Sequence, residues 1–115
     1  MGRLGLSRCA ETWLLRVRIN RMSMTDTEFA QAMKALSEPN RLEIVRQVKA
    51  KQGDCGIACT TVLDELSISQ STFSHHVTEL REAGILLGEQ DGRRVRLTLN
   101  PTIFSQIQEK IEEFR

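Results

Sequence analysis

The sequence TTVLDELSISQSTFSHHVTELREAG, residues 60–84, decides the fold of this chain. Its second half predicts a helix, because Ser69 is a favoured helix N-cap and Gly84 is a favoured residue at which a helix ends. Within that helix the apolar side chains recur at the i, i+4 and i+7 spacing of one helical face; they are Phe73, Val77 and Leu80. The opposite face is polar, so we expect the helix to pack by one side and to present the other to solvent or to a partner.

The first half of the stretch predicts a shorter helix over residues 61–66. Thr61 and Asp64 have the spacing of a capping box, and the apolar residues that follow Thr61 are Val62, Leu63 and Leu66. Only residues 67–69 separate this helix from the next. A short helix, a tight turn and a second helix with a polar outer face are typical of a helix-turn-helix, whose second helix enters the major groove of DNA.

The polar face of the second helix is therefore the candidate surface for contacts with bases. Short hydroxyl side chains allow a close approach to DNA, and a glutamine can pair with adenine through two hydrogen bonds. His75 and His76 are about 100° apart on a helix, so they are poor joint ligands for a metal ion, and no nucleophile or carboxylate partner near them indicates an enzyme. We predict no catalytic site and no enzyme activity. The predicted DNA contacts on this helix are Ser69, Gln70, Ser71, Thr72, Ser74, His75 and Thr78.

After Gly84 the apolar residues recur at every second position, which predicts strands over residues 85–90 and 94–99, joined by a hairpin turn at Asp91-Gly92. Arginines cluster beside this turn. Next to a helix-turn-helix, such arginines can lie along the DNA backbone or enter the minor groove, as those of a wing do. On an isolated hairpin they are a charged edge that discourages aggregation. We favour the wing, and its predicted DNA contacts are Arg93, Arg94 and Arg96.

Two helices are predicted before residue 60. Thr25 or Asp26 can cap the first of them. Ser37 can cap the second, in which Pro39 lies in the first turn, where its missing N–H costs nothing. Their apolar residues recur at helical spacing; they are Phe29, Met33 and Leu36 in the first helix and Leu42, Ile44, Val45 and Val48 in the second.

A final helix is predicted over residues 101–114, with Asn100 as its N-cap and Pro101 at its first position. Its apolar stripe consists of Ile103, Phe104, Ile107, Ile111 and Phe114. Two strands alone do not make a stable sheet, so the hairpin must pack on the helices. The predicted fold class is mainly α with a small β-hairpin (α+β), arranged as a winged helix-turn-helix.

Three segments carry a resemblance to a known family: ALSEPNRLEIVRQV at residues 35–48, SQSTFSHHVTELREAGIL at 69–86 and GRRVRLTLNP at 92–101. In this order and spacing they resemble the ArsR/SmtB family of winged-helix repressors, over roughly residues 25–115. The resemblance implies a cytoplasmic, homodimeric repressor that leaves a palindromic double-stranded DNA operator when an inducer binds. It implies that the first and last helices dimerise, with Phe29, Met33, Ile103, Phe104, Ile107, Ile111 and Phe114 as the candidate residues.

The same resemblance separates the roles of the two histidines. His76 aligns with the family's usual histidine in this helix, which implies that it supports the helix at its boundary with the core. His75 falls where the family often has a basic residue, which implies contact with DNA.

The resemblance leaves the inducer open. Many members bind metals or metalloids through a Cys-x-Cys pair, and this pair would fall at Ala58 and Thr60, which have no thiol. Others use ligands on the last helix, which in this chain has no His and no Cys. We therefore predict no metal site of either type. Cys55 and Cys59 are instead candidate effector thiols: on a helix they would share one face, in a loop they would come within disulfide range, and a helix N-terminus would favour the thiolate. Three alternatives stay open: redox or persulfide sensing, a metalloid or metal ion held with a third ligand such as Cys9, and two small buried residues with no sensing role.

The charge distribution bears on the other classes of function. The net charge is +1, but residues 1–24 hold five arginines and one glutamate, so residues 25–115 carry eleven basic and fourteen acidic residues, a net charge of −3. A DNA site within residues 25–115 must therefore be a local patch, and a winged-helix module that binds other proteins is the rival function. No apolar run approaches the roughly 18 residues that a membrane span needs.

Residues 25–115 are predicted to form one domain, and residues 1–24 an N-terminal extension. Three interpretations of the extension stay open. The first is a disordered or spurious segment upstream of a start at Met22 or Met24. The second is an arginine-rich segment similar to a transit peptide, and the third is an extra helix.

Overall fold

The structure, a computed structural model, describes residues 24–115. The interpretations of residues 1–23, including Cys9, lie outside the described residues. Five helices and three strands follow one another in the order α1 (Asp26–Ala35), α2 (Pro39–Lys51), β1 (Ile57–Ala58), α3 (Cys59–Asp64), α4 (Gln70–Glu82), β2 (Leu86–Asp91), β3 (Arg94–Leu99) and α5 (Pro101–Glu112). Within this part of the chain, no helix is both long enough and apolar enough to cross a lipid bilayer.

The predicted fold class is confirmed, with one strand more than the sequence indicated. The sheet is antiparallel in the order β1-β3-β2, and β2 pairs with β3 from Leu86 opposite Leu99 to Asp91 opposite Arg94. The added strand β1 has only two residues, Ile57 and Ala58, which pair with Leu97 and Arg96 of β3. A two-residue strand has no period to detect, so its pairing is a consequence of tertiary structure alone.

The core lies where α2, α4 and the sheet meet. Its largest fully buried side chains are Ile44, Val48, Val62, Leu80, Ile85, Leu86 and Leu97. The predicted stripe of α4 is buried as expected, with Phe73 4% and Val77 7% exposed. Two residues of the predicted apolar faces, Met33 and Leu42, are 40% and 37% exposed, while the small residues Ala32 and Ala35 bury the inner face of α1. The apolar spacing therefore predicted which side of each helix is buried, but not which residues of that side are buried most deeply.

The predicted caps of α1, α4 and α5 are confirmed. Thr25 and Glu28 form a reciprocal capping box on α1, Ser69 Oγ accepts from the Thr72 N–H at 3.1 Å, and Asn100 Oδ1 accepts from the Thr102 N–H at 3.1 Å. Asn100 is 4% exposed, and its amide also donates to the Gly84 carbonyl at 3.1 Å. These bonds fix where α4 and α5 begin, and the last of them ties the start of α5 to the end of α4.

Two predicted caps are wrong. Ser37 does not cap α2: Glu38 does, through a 3.1 Å bond from the Arg41 N–H, while Ser37 Oγ donates back to the Lys34 carbonyl at 2.7 Å. The capping box of Thr61 and Asp64 does not form either, because α3 begins at Cys59 with Ala58 as a cap that supplies no side-chain bond. Since Ala58 is the last residue of β1, the sheet sets where α3 begins.

The hairpin turn lies one residue later than Asp91-Gly92. Asp91 pairs with Arg94, so the two residues of the loop are Gly92 and Arg93. Gln90 Nε2 donates to the Gly92 carbonyl at 3.0 Å, which stiffens the tip of the hairpin. Arg93 is therefore the second residue of the two-residue turn.

Candidate nucleic-acid interface

Helix α4 presents a continuous polar face to solvent. Its opposite face is buried and contacts α2 and β2, so rotation of the helix about its axis is fixed by packing. All seven residues that the sequence predicted as DNA contacts on this helix are exposed: Ser69, Gln70, Ser71, Thr72, Ser74, His75 and Thr78. Two of them also act within the fold, because Ser69 Oγ caps the helix and donates to Thr72 Oγ1 at 2.9 Å.

His76 is the polar member of the buried face, and it is 7% exposed. The Arg41 Nε–H donates to His76 Nδ1 at 3.1 Å, and His76 Nε2 lies 3.8 Å from Glu38 Oε1. A guanidinium can only donate, so Nδ1 is the acceptor nitrogen and Nε2 carries the ring proton towards Glu38. Because Glu38 also caps α2, these three residues join the start of α2 to the middle of α4.

His75 lies on the other side of α4 and is exposed. The centroids of the two imidazole rings are 6.0 Å apart and their planes are tilted by 49°. The rings thus face different surroundings: His76 is held by α2, whereas His75 belongs to the polar face.

The β2–β3 hairpin carries the three predicted arginines in two different environments. Arg93 and Arg94 are exposed at the turn. Arg96 is partly buried: its Nε donates to Asp91 Oδ2 and its Nη1 to the Gly56 carbonyl, each at 3.0 Å. Arg96 therefore joins the base of the hairpin to the loop before β1, and Arg93 and Arg94 are the arginines whose guanidinium groups are directed to the surface.

The polar face of α4 and the tip of the hairpin border one cleft, with a volume of about 350 Å³. Gln70, Ser74 and Thr78 line it from α4, and Arg93 and Arg94 line it from the hairpin. Two elements predicted separately from sequence thus contribute to one surface. The cleft also has two residues that the sequence did not indicate as partners, Cys59 and Arg81, which only the approach of α3, α4 and the sheet brings together.

Comparison with known proteins agrees with this geometry. A helix-turn-helix domain family model matches residues 36–89. The HTH-type transcriptional regulator YceK of Bacillus subtilis is 35% identical over 86 residues, which are 72% of this chain and 82% of that protein. The arsenical resistance operon repressor of Staphylococcus aureus is 31% identical over 85 residues, which are 73% of this chain and 77% of that protein.

This chain belongs to the ArsR/SmtB family. A solved structure from Mycobacterium bovis, the homodimeric winged helix-turn-helix DNA-binding domain of a possible ArsR-family regulator, superposes with a TM-score of 0.59 at 18% identity, covering 79% of this chain and 90% of that one. At this identity the likeness concerns the fold, with α3 and α4 as the helix-turn-helix and β2–β3 as the wing. The family assignment that the three sequence segments implied is confirmed.

Within this ArsR/SmtB fold the two cysteines of residues 24–115 are separated by secondary structure. Cys55 lies in the turn before β1, and Cys59 is the first residue of α3, so they do not share one helical face. Both are thiols and both are partly buried. Burial raises the pKa of the Cys59 thiol, and the positive charge of Arg81 only opposes that rise. The prediction of a thiolate favoured by the helix N-terminus is therefore wrong for Cys59.

No cluster of three or more metal-ligating side chains of the His, Cys, Asp or Glu type occurs within residues 24–115. Residues 24–115 of one protomer therefore supply no third ligand to accompany Cys55 and Cys59 in a metalloid site.

The candidate dimerisation residues divide into two groups. Ile103 and Ile107 are 6% and 7% exposed and belong to the core of the protomer, and Phe29 packs against that core. Met33 at 40%, Phe104 at 36%, Ile111 at 44% and Phe114 at 79% remain exposed. Lys110 Nζ of α5 donates to Asp26 Oδ1 of α1, so an exposed ion pair links these two helices.

Proposed function

We propose that this protein is a homodimeric transcriptional repressor that binds a palindromic double-stranded DNA operator and leaves it when an inducer binds. Helix α4 enters the major groove, and the wing contacts the backbone or the minor groove. The observation that carries the proposal is the shared cleft: exposed base-reading side chains of α4 and exposed wing arginines border the same surface. A repressor that acts on chromosomal DNA works in the cytoplasm.

The charge balance supports a local rather than a global attraction to DNA. Residues 25–115 are net acidic, yet Arg93 and Arg94 are directed to solvent and, among the described residues, no carboxylate pairs with either. Each contact between an arginine and a phosphate releases counterions, so binding weakens as salt is added. The wing is therefore expected to supply the salt-dependent part of the affinity, and α4 the sequence-dependent part.

Fluorescence anisotropy on fragments of the DNA upstream of the protein's own gene, over a series of salt concentrations, tests this division. Arg94→Ala is expected to weaken binding to all sequences and to lower the slope of log K against log salt by about one. Gln70→Ala is expected instead to relax the preference for one base pair, by about 1–3 kcal/mol. Arg46→Ala, which removes an exposed arginine paired with Glu43 on α2, is the matched control and should change neither quantity.

The rival function is a module that binds another protein, and the net charge of −3 over residues 25–115 favours it. Binding to the upstream DNA fragments distinguishes the two functions. If the wild-type protein binds no upstream fragment even at low salt, the repressor proposal fails and the rival is preferred. If it binds, and Arg94→Ala binds as well as Arg46→Ala does, the proposed docking of the wing is wrong.

Dimerisation is proposed to bury the exposed apolar side chains of α1 and α5 against a second copy. Four large apolar side chains that a monomer leaves in water lie on α1 and α5 and, for Phe114, in the turn that follows α5. Sedimentation velocity tests this: Ile111→Glu places a charge within the patch and is expected to shift the protein to monomer. Gln108→Glu puts the same charge at an exposed position of the same helix and should leave the dimer intact. Equal sedimentation of the two variants would contradict an interface on α5.

Sensing through Cys55 and Cys59 is the second part of the proposal. The name of the Staphylococcus aureus relative refers to arsenical resistance, which supports a metalloid inducer, whereas the raised pKa of Cys59 opposes attack by a thiolate at neutral pH. Operator release by arsenite and by hydrogen peroxide is to be compared between the wild type and the double variant Cys55→Ser/Cys59→Ser. An unchanged response to both compounds would exclude these thiols as the sensor.

A further inference from the structure

The cleft between α4 and the wing has a floor of a different character from its rim. The rim consists of hydroxyl, amide and guanidinium groups. The apolar side chains that line the cleft, which we call its floor, include Leu63 of α3, Phe73 and Val77 of α4, and Val95 of β3. A volume of about 350 Å³ is at the lower end of the range of small-molecule sites, which are mostly apolar with a few placed polar groups.

Arg81 supplies the placed polar group in this cleft. Its guanidinium lies against the backbone of β2 at Gly88: a methyl group on Gly88 would lie 2.6 Å from Arg81 Cζ and 2.7 Å from its Nε. The absence of a side chain at residue 88 is therefore what lets the guanidinium occupy this position. Within residues 24–115 the ion pairs involve other side chains, so Arg81 keeps a positive charge in the cleft that no carboxylate neutralises.

The remaining wall of the cleft does not oppose a bound anion. Cys59 lines it beside Arg81, and burial raises the pKa of this thiol, so it carries no negative charge at neutral pH. The arginines of the wing add to the positive potential from the opposite side. An anion entering the cleft thus meets donors and positive charge at its polar end and apolar side chains beyond them.

We propose that this cleft is an effector site for a small aromatic carboxylate, whose carboxylate pairs with Arg81 and whose ring lies on Leu63, Phe73 and Val77. A guanidinium and a carboxylate match in a two-bond geometry, and the apolar floor favours a ring over a fully hydrated anion such as phosphate. Since the rim contains residues assigned to DNA contact, the ligand and the operator compete for one surface. The inference rests on the proposed repressor function and adds an organic anion as a second effector, beside the metalloid or oxidant proposed for Cys55 and Cys59.

The experiment uses 2-naphthoate as the probe, with its binding measured by isothermal titration calorimetry on the full chain without DNA. The wild type is expected to bind one molecule per protomer, and Arg81→Gln to bind it about tenfold or more weakly, because a hydrogen bond to a charged group is lost. Arg46→Gln is the matched control and should bind as the wild type does. The neutral 2-naphthylmethanol should bind wild type and Arg81→Gln equally.

A second variant keeps the test independent of the substitution at Arg81 itself. Gly88→Ala would push the guanidinium from its position and should weaken 2-naphthoate binding while Arg81 is retained. Circular dichroism melting of both variants shows whether they are folded. Equal binding by the wild type, Arg81→Gln and Gly88→Ala, or no saturable binding by the wild type, would overturn the site. Displacement of the probe by inorganic phosphate at equal concentration would overturn the aromatic class.

Competition with DNA is measured separately, by anisotropy of a labelled upstream fragment. Saturating 2-naphthoate is expected to lower the operator affinity of the wild type about tenfold or more, and Arg81→Gln should bind the operator without responding to the probe. Probe binding that leaves operator affinity unchanged would refute the effector role. Because calorimetry needs no DNA, a protein that binds 2-naphthoate but no operator would contradict the repressor function and not the site.

Discussion

Among the glycines of residues 24–115, Gly56 is the one at which an added methyl group would meet backbone most closely. Its φ is +86°, a region that costs an L residue about 1–2 kcal/mol. In addition, an added Cβ would lie 2.8 Å from the Leu97 carbonyl oxygen and 3.0 Å from Thr98 Cγ2, so β1 would have to move away from β3. Overpacking of this kind costs about 1–3 kcal/mol. We therefore expect Gly56→Ala to lower the free energy of unfolding by about 2–5 kcal/mol.

The control for Gly56→Ala is Gly53→Ala, three residues earlier. Gly53 also has a positive φ, +55°, but an added Cβ there meets nothing within 4 Å. Gly53→Ala therefore has the conformational cost alone, about 1–2 kcal/mol. The difference between the two variants isolates the cost of the contact between β1 and β3.

Urea denaturation followed by circular dichroism, with midpoints and slopes compared, measures both free energies. The loss at Gly56 should exceed the loss at Gly53 by about 1–3 kcal/mol. Operator affinity should also fall for Gly56→Ala, because the Gly56 carbonyl accepts a bond from Arg96 at the base of the wing. Destabilisation of the two variants to the same extent, within about 0.5 kcal/mol, would refute the steric reasoning.

Three further predictions concern Arg96, Asp26 and Cys59. Arg96→Ala should lower the free energy of unfolding by about 1–2 kcal/mol, because its hydrogen bonds to Asp91 and Gly56 are lost. In the same urea assay, Arg94→Ala should change the free energy of unfolding by no more than about 0.5 kcal/mol. An Arg96→Ala variant as stable as wild type would contradict a structural role for Arg96. The hydrogen bond from Lys110 lowers the pKa of Asp26 below its ordinary value of 3.8. Wild type should therefore be more stable than Asp26→Asn by the full amount above pH 3.8, and this difference should vanish as the pH falls through the lowered pKa. A difference in stability that does not depend on pH would exclude this ion pair as its cause. Burial raises the pKa of Cys59 above its ordinary value of 9.0. In a variant whose single cysteine is Cys59, the pH profile of the rate of alkylation by iodoacetamide should therefore have its midpoint above pH 9.0. A midpoint below pH 9.0 would contradict the raised pKa.

The sequence predicted helix caps correctly where a side chain bonds to the backbone within a single turn of helix. Ser69 and Asn100 cap helices because their side chains reach an N–H two or three residues away, which needs no tertiary structure. Ser37 failed as a cap for a related reason: Glu38 is the next residue and its longer carboxylate also reaches the helix start. Two adjacent candidates were available, and the one that caps the helix, Glu38, also lies with its Oε1 3.8 Å from His76 Nε2.

The candidate site was predictable in its parts and not in its combination. The polar face of α4 and the arginines of the hairpin could be read separately, since each follows the period of its own element. That Arg96 is engaged with Asp91 and Gly56 while Arg93 and Arg94 are directed outward depends on which strand lies beside β3. Likewise, nothing in the spacing of Cys59 and Arg81 indicates that they border one cleft.

By itself, the sequence determined the order of the helices, the helix-turn-helix over residues 60–84 and the wing, because these depend on short-range period, caps and turns. The family followed from the resemblance of three sequence segments. Tertiary structure alone decided the strand β1, the start of α3 at Cys59, the burial of that thiol and its position beside Arg81 in one cleft. The physical reason is the range of the forces involved. A cap or a helical face is settled by residues within one or two turns, whereas a two-residue strand, a raised pKa and a cleft are properties of segments about 20–40 residues apart in sequence that meet only once the core has formed.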